Sequence, residues 1–267
     1  MSRLENMETT FRQPDLADVF ERLLVPSTFE RYARDLVERA RPVGPSDRVL
    51  DLGCGTGIVA RVLRERLGGA ARITGIDLSP AMIARARSIA PDVDWHEGNA
   101  VALPFADGSF DIVLSQQMLQ FTSDRKAAAR EIRRVLAPGG RLHASTWRPR
   151  QHQPMYDALG AVAERHLGPS NDMRWTLDSD ELRALLVEAG FTDVKVDTVS
   201  LTEHYSEFPV RLSAMAANHD LSALDQEERE RRWAAVESDS AEVLARFARD
   251  GGFTTTSATN VAVARVS

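Results

Sequence analysis

The chain has 267 residues, 43% hydrophobic and 27% charged, the composition of a water-soluble globular protein long enough to bury a substantial core. A formal net charge of −6 provides no global positive field to recruit nucleic acid, although short arginine-rich stretches such as Arg61 to Arg66 exist. The single cysteine, Cys54, excludes an internal disulfide and fits a reducing compartment.

The N-terminal stretch MSRLENMETTFRQPDL lacks the apolar centre of a signal peptide, and no apolar run approaches the roughly 20 residues of a membrane span. The expectation is a soluble cytoplasmic protein with no membrane partner. Residues 15–24 and 27–40 read as amphipathic helices, the second opening after Pro26 with Ser27 as its cap. A short apolar run over 48–52 reads as a strand, and 58–67 follows with apolar residues at helical spacing. Strand 72–76, helix 80–89, and strands 93–96 and 110–115 come next. Helix 124–136 is stopped by Pro138-Gly139-Gly140, and strand 141–146 follows. Alternation with short connections predicts parallel βαβ units in a doubly wound α/β sheet.

The second half departs from this rhythm. Helix 180–189 is closed by Gly190, and 194–201 is a β-branched strand. Residues 206–250 contain no strand candidate. They read as helices, the last amphipathic around Trp233, Val236, Val243, Leu244 and Phe247, before a final strand over 254–266.

The stretch Val49-Leu50-Asp51-Leu52-Gly53-Cys54-Gly55-Thr56-Gly57 carries the chemistry. An apolar strand ends beside an acid, and glycines at alternate positions let a ligand approach bare backbone at a helix N-terminus. A dinucleotide fingerprint needs G-x-G-x-x-G, yet the position of its third glycine is Ile58. The spacing here is G-x-G-x-G, which disfavours an NAD-binding oxidoreductase.

That spacing resembles the first motif of the class I S-adenosylmethionine (SAM)-dependent methyltransferases, and further motifs follow in order. Gly75-Ile76-Asp77-Leu78-Ser79 is similar to their second-strand motif. Gly98-Asn99-Ala100 with Leu103-Pro104-Phe105 resembles the adenine turn, and Ser109-Phe110-Asp111-Ile112-Val113 the fourth strand. Arg134-Val135-Leu136-Ala137-Pro138-Gly139-Gly140 resembles the lead-in to the fifth. The match covers about residues 45–148. It implies a Rossmann-like, seven-stranded, mostly parallel sheet with a helical cap insertion. The implied organisation is N-terminal helices over the cofactor pocket (1–44), a SAM-binding core (45–205), the cap (206–250) and a final core strand (251–267).

The resemblance implies SAM as cofactor, S-adenosylhomocysteine (SAH) as product, and no metal. It assigns the ribose diol to Asp77 and leaves space for the methionine part at Gly53, Gly55 and Gly57, with Cys54 and Thr56 in the same turn. Asp51 is expected near the ammonium, Leu78, Met82, Asn99 and Ala100 around the nucleoside, and Ser115 and Gln116 at the methionine end. A carboxylate suits a vicinal diol because it accepts two charge-assisted hydrogen bonds. Asn99 replaces the more usual Asp, and its amide oxygen is expected to accept from the adenine amino group.

Several acceptor classes are marked by residues missing here. Amino-methylation of nucleic-acid bases carries an Asn/Asp-Pro-Pro-aromatic stretch where this chain reads Ser115-Gln116-Gln117-Met118. RNA cytosine chemistry needs a cysteine nucleophile, and Cys54 belongs to the turn. Metal-dependent catechol methylation needs a carboxylate cluster, and Ser115 stands at one ligand position. These absences and the acidic charge favour a small-molecule acceptor, and Phe208, Leu212, Met215, Trp233 and Phe247 of the cap favour an apolar or aromatic one. A monomer or homodimer is the expected assembly. Gln120, His152, His204 and His219 are the candidates for acceptor orientation or proton removal, and no pattern singles one out. A SAM-binding regulator or partner subunit without catalysis is the rival expectation.

Overall fold

The structure, a computed structural model, describes residues 14–67, 72–122, 124–169, 176–208, 210, 219, 221 and 223–267. Leu212 and Met215, in the expected cap, lie outside the described residues. The chain begins with α1 (Pro14–Val19), a π-helical segment (Phe20–Phe29) and α2 (Glu30–Arg39). Then come β1 (Arg48–Leu52), α3 (Ile58–Leu67), β2 (Arg72–Asp77), α4 (Pro80–Ile89) and β3 (Asp94–Glu97). β4 (Phe110–Gln116), α5 (Arg125–Val135), β5 (Leu136–Trp147) and α6 (Pro154–Leu167) complete the alternating half. α7 (Ser179–Glu188), β6 (Thr192–Tyr205), α8 (Gln226–Phe247), β7 (Ala248–Arg249) and β8 (Gly252–Arg265) follow.

Among the described residues the sheet runs β3-β2-β1-β4-β5-β8-β6, with β7 paired to β8. The first five strands in that order are parallel, and β8 is antiparallel to both β5 and β6. The order reverses between β1 and β4, the crevice where open α/β sheets bind ligands at their carboxyl ends. Register delivers the site residues there: Asp51 pairs with Gly75 and Leu114, Asp77 with Glu97, and Gln116 with Ser145.

Strand alternation sends neighbours to opposite faces and builds two cores. Leu50, Val113, Leu142 and Ala262 pack against α5 and α7 through Ile132, Leu182 and Leu186. Val49, Ile112, Leu114 and Val261 pack under α2, α3 and α4 through Leu36, Leu63 and Ile83. Beyond the sheet, Met155 and Leu159 of α6 meet Val243 and Leu244 of α8, with Tyr205 and Phe208 in the same cluster. No helix among the described residues is long and apolar enough to cross a membrane.

Four features differ from the sequence expectations. Pro26 does not separate two helices; the run from Pro14 to Arg39 continues through a π-wound segment containing it. Proline lacks an N–H, and Ser27 lies inside the run with its hydroxyl donating back to the Leu23 carbonyl, so it caps nothing. β5 begins at Leu136 because Leu136 already pairs with Phe110, before a register shift brings Ile112 opposite Arg141. Residues 206–250 do contain strand: β7 folds back through Asp250 and Gly251, both at positive φ, to pair Ala248 with Phe253. Helix α6 had no counterpart among the predicted elements.

Candidate functional site

The turn after β1 is pinned to β2, because the N–H groups of Gly53 and Cys54 both donate to the Ile76 carbonyl at 2.8 and 3.0 Å. Gly53, Gly55 and Gly57 have φ of +69°, +54° and +87°, a region that side chains disfavour. Their surroundings differ, which corrects the expectation that all three leave room for a ligand. A Cβ on Gly53 would lie 2.2 Å from Met118 Cγ, and one on Gly57 would lie 2.4 Å from the Trp95 ring. Those two glycines admit neighbouring side chains. A Cβ on Gly55 would meet only Phe20 Cε1, at 4.0 Å. Gly55 alone presents an open backbone face.

Asp77 closes β2 beside that face. One carboxylate oxygen accepts from Gly55 N and the other from Ser79 N, each at 2.9 Å, and each keeps a further lone pair. Burial raises its pKa above the usual carboxylate range, opposed by these backbone donors. Asp51 is 1% exposed; its Oδ2 accepts from Ala60 N at 3.0 Å, and Oδ1 has no hydrogen-bond partner. Burial pushes this carboxyl up to about 7, with Asp77 adding to the shift. An unpartnered buried acceptor of this kind suits an ammonium group. Cys54 is buried, and that burial holds its thiol well above its ordinary range, unlike an activated nucleophile.

The N-terminal helical run lies on this turn. Thr56 Oγ1 donates to Glu21 Oε2 at 2.6 Å, and Arg61 pairs with both Glu21 oxygens. Met82 is buried against Leu16 and Ala17, whereas Leu78 is 36% exposed at the β2 edge. Asn99 Oδ1 accepts from Val101 N at 3.1 Å, so this amide first builds its own turn beside Ala100.

The end of β4 is a cluster of buried amides. Gln116 Nε2 donates to the Phe29 carbonyl at 2.9 Å, leaving Oε1 unpartnered; Ser115 Oγ, on the preceding residue, is also unpartnered. Gln117 is 4% exposed, has φ of +53°, and neither polar atom of its side chain has a partner. A buried, unsatisfied glutamine at positive φ makes Gln117 a candidate site residue that the bare sequence does not show. Gln120 Oε1 accepts from Trp147 N at 3.0 Å, tying the residue to the end of β5. Trp147 meets Phe29 and Tyr32 edge-on.

The histidine candidates do not converge. His152 lies half-buried in the short turn before α6. His204 is exposed and its Nδ1 lies 3.1 Å from Thr254 Oγ1. His219 Nδ1 lies 2.8 Å from the Gly168 carbonyl, beyond the end of α6. His143 is 2% exposed inside β5, and burial pushes its pKa down to about 4, so it stays neutral at pH near 7.

Asp51 and Glu203, the latter buried on β6, are both raised to about 7 by burial. Each binds its proton more tightly folded than unfolded. Their stabilising contribution is therefore full below the unfolded carboxyl range and lost as pH rises through about 7. Glu203→Gln is expected to raise the melting temperature more at about pH 8 than at about pH 5. Equal shifts at the two pH values would contradict this.

Comparison with known proteins places the site in context. Residues 50–144 match a family described as a methyltransferase domain. The chain is 32% identical over 201 residues to a ubiquinone/menaquinone biosynthesis C-methyltransferase of Stenotrophomonas maltophilia, covering 67% of this chain and 78% of that protein. It is 36% identical over 181 residues to a malonyl-[acyl-carrier protein] O-methyltransferase of Halorhodospira halophila, covering 64% of this chain. The chain spans only 58% of that relative's length. A Haemonchus contortus phosphoethanolamine N-methyltransferase, solved with phosphomonomethylethanolamine and SAH, has a similar fold at a TM-score of 0.61. Sequence identity there is 18%, over 100% of this chain and 60% of that one.

Proposed function

The chain belongs to the class I SAM-dependent methyltransferases, and on that premise we propose that it binds SAM and methylates a small molecule. The transfer is a direct S_N2 displacement to an O, N or C atom. The observation that carries this reading is the open backbone of Gly55 beside the Asp77 carboxylate, at the carboxyl edge where the strand order reverses.

SAM supplies a methyl group already activated on a sulfonium. Asp77 offers its remaining lone pairs to the ribose hydroxyls, and the unpartnered Asp51 Oδ1 faces the methionine ammonium. Leu78, Met82, Asn99 and Ala100 surround the nucleoside. Asn99 accepts from adenine only through the second lone pair of an oxygen already used by Val101 N. Cys54, Thr56 and the backbone of Gly53 and Gly57 shape the turn; Ser115, Gln116 and Gln117 line the methionine end. Phe20 and Phe29, stacked at 4.6 Å, exclude water over Gly55. Gln120 orients the acceptor.

Relatives named for quinone methylation support a metabolite-sized acceptor, as does the acidic net charge. In this reading residues 1–44 cover the cofactor, 45–205 hold it, 206–250 roof the acceptor, and 251–267 complete the sheet. The protein acts without metal, nucleic acid or membrane, as a monomer or homodimer in the cytoplasm. Calorimetric titration with SAH and with NADH tests the cofactor assignment. One saturable SAH site and no NADH binding is the expected result; the reverse would overturn it.

A further inference from the structure

On β6 the residues Val199, Leu201, Glu203 and Tyr205 alternate onto the sheet face that α2 covers. Glu203 is completely buried and forms no ion pair among the described residues, which is unusual for a carboxylate. Its Oε2 accepts from the Tyr205 hydroxyl at 2.9 Å. That hydroxyl also lies 2.6 Å from Thr28 Oγ1 and 2.7 Å from the Tyr156 hydroxyl. A phenol has one proton, so donation to Glu203 makes Thr28 and Tyr156 the donors to Tyr205. The result is a directed chain, Tyr156 to Tyr205 to Glu203.

This chain adjoins the proposed cofactor edge. Thr28 precedes Phe29, whose carbonyl is held by Gln116. Two hydrogen bonds and the Thr28–Phe29 linkage therefore keep the Tyr205 hydroxyl within about 14 Å of the Gln116 amide. Between them, on the same sheet face, stand Ser145 and Thr259, buried hydroxyls without hydrogen-bond partners among the described residues, and Ser257, whose hydroxyl faces Glu203. Ser145 pairs with Gln116, Thr259 with Trp147, and Ser257 with Leu201. In natural cores such groups are met by ordered water, an ion or a polar ligand.

We propose that this network is the acceptor's hydroxyl site and proton sink. An acidic hydroxyl of the acceptor, a phenol or enol, donates to the Tyr156 oxygen. Its proton passes through Tyr156 and Tyr205 to the Glu203 carboxylate as the oxygen attacks the methyl group. The O–H bond breaks, the O–CH3 bond forms, the sulfonium–methyl bond breaks to a neutral thioether, and Glu203 ends as a carboxylic acid. The inference rests on the proposed methyl transfer and narrows its acceptor to an oxygen nucleophile.

The groups facing Glu203 are Tyr205 on its own strand, Tyr156 from α6, and Tyr32 and Arg31 from α2. Arg31 is turned outward to the Thr202 carbonyl at 2.9 Å. Burial is the main cause that brings Glu203 up to about 7; the hydroxyls of Ser257 and Tyr205 and the Arg31 charge oppose it.

The test uses the full chain with methyl-tritiated SAM and the phenols 1-naphthol and 2-naphthol, both of which keep their proton at about pH 7. Wild type is expected to methylate at least one, with a rate that rises with pH through about 7. Glu203→Gln is expected to lower kcat by roughly a hundredfold and to lose that rise. KM should stay within about threefold, as should SAH affinity measured by calorimetry. Tyr156→Phe, which cuts the chain while leaving Glu203 and Tyr205 in place, should lower kcat about tenfold or more and decides the matter if Glu203→Gln fails to fold. In the SAH complex it should also weaken 2-naphthol binding, followed by fluorescence. SAH binding with no transfer to either phenol, or unchanged kcat and pH profile in the variants, overturns the inference alone. Failure of wild type to bind SAH overturns the proposed function with it.

Discussion

A Gly55→Val protein is expected to fold and to lose SAH binding by roughly a hundredfold or more, a penalty of about 3 kcal/mol. The branched side chain would enter the one open face of the turn, where only Phe20 stands at 4.0 Å. Valine at φ of +54° adds strain of about 1–2 kcal/mol, which a domain of ordinary stability tolerates. Gly57→Val is the contrasting control. Its Cβ would penetrate the Trp95 indole, itself anchored by Nε1 donating to the Ala90 carbonyl at 2.8 Å, so the fold rather than binding alone should fail. Calorimetry with thermal melts separates the two outcomes. Normal SAH affinity in Gly55→Val would mean that the turn is not the cofactor site.

Asp77→Ala carries the second large effect. It removes two acceptors for the ribose diol, each charge-assisted bond being worth about 1.5–3 kcal/mol, so SAH affinity should fall at least tenfold. It also strands the N–H groups of Gly55 and Ser79, so the melting temperature should fall too. Asp77→Asn keeps an acceptor for one of those donors and should lie between wild type and alanine in both measurements. Unchanged SAH affinity in folded Asp77→Ala would sink the assignment.

The parallel half of the fold was legible because its strands and helices follow the two side-chain periods closely. Ile58–Leu67 and Pro80–Ile89 fall where apolar spacing and flanking signals put them. Pro26 misled because proline ordinarily breaks a helix, whereas here a π-wound segment absorbs it under the tertiary packing of Leu23 and Val25. The glycine motif located the site, but spacing alone does not distinguish a glycine that faces a ligand from one that faces an indole. Trp95 arrives from a strand 38 residues after Gly57 and 20 after Gly75, so both glycines take their meaning from tertiary structure. Gln117 became visible only through its backbone angle. Glu203 did leave a signal: Val199, Leu201, Glu203 and Tyr205 alternate at the strand period, and an acid in an inward register is an anomaly. The hydroxyls that meet it come from Thr28, Tyr156 and Tyr205, too far apart in sequence for any local pattern to join.

The most direct test of the central claim follows a tritiated methyl group from SAM. The folded protein, with heat-denatured protein as control, is incubated with a metabolite extract and labelled SAM, then fractionated into small molecules, protein and nucleic acid. The account predicts label in the small-molecule fraction, dependent on folded protein and abolished by Asp77→Ala. Label confined to protein or nucleic acid, or no transfer although SAH binds, would contradict it.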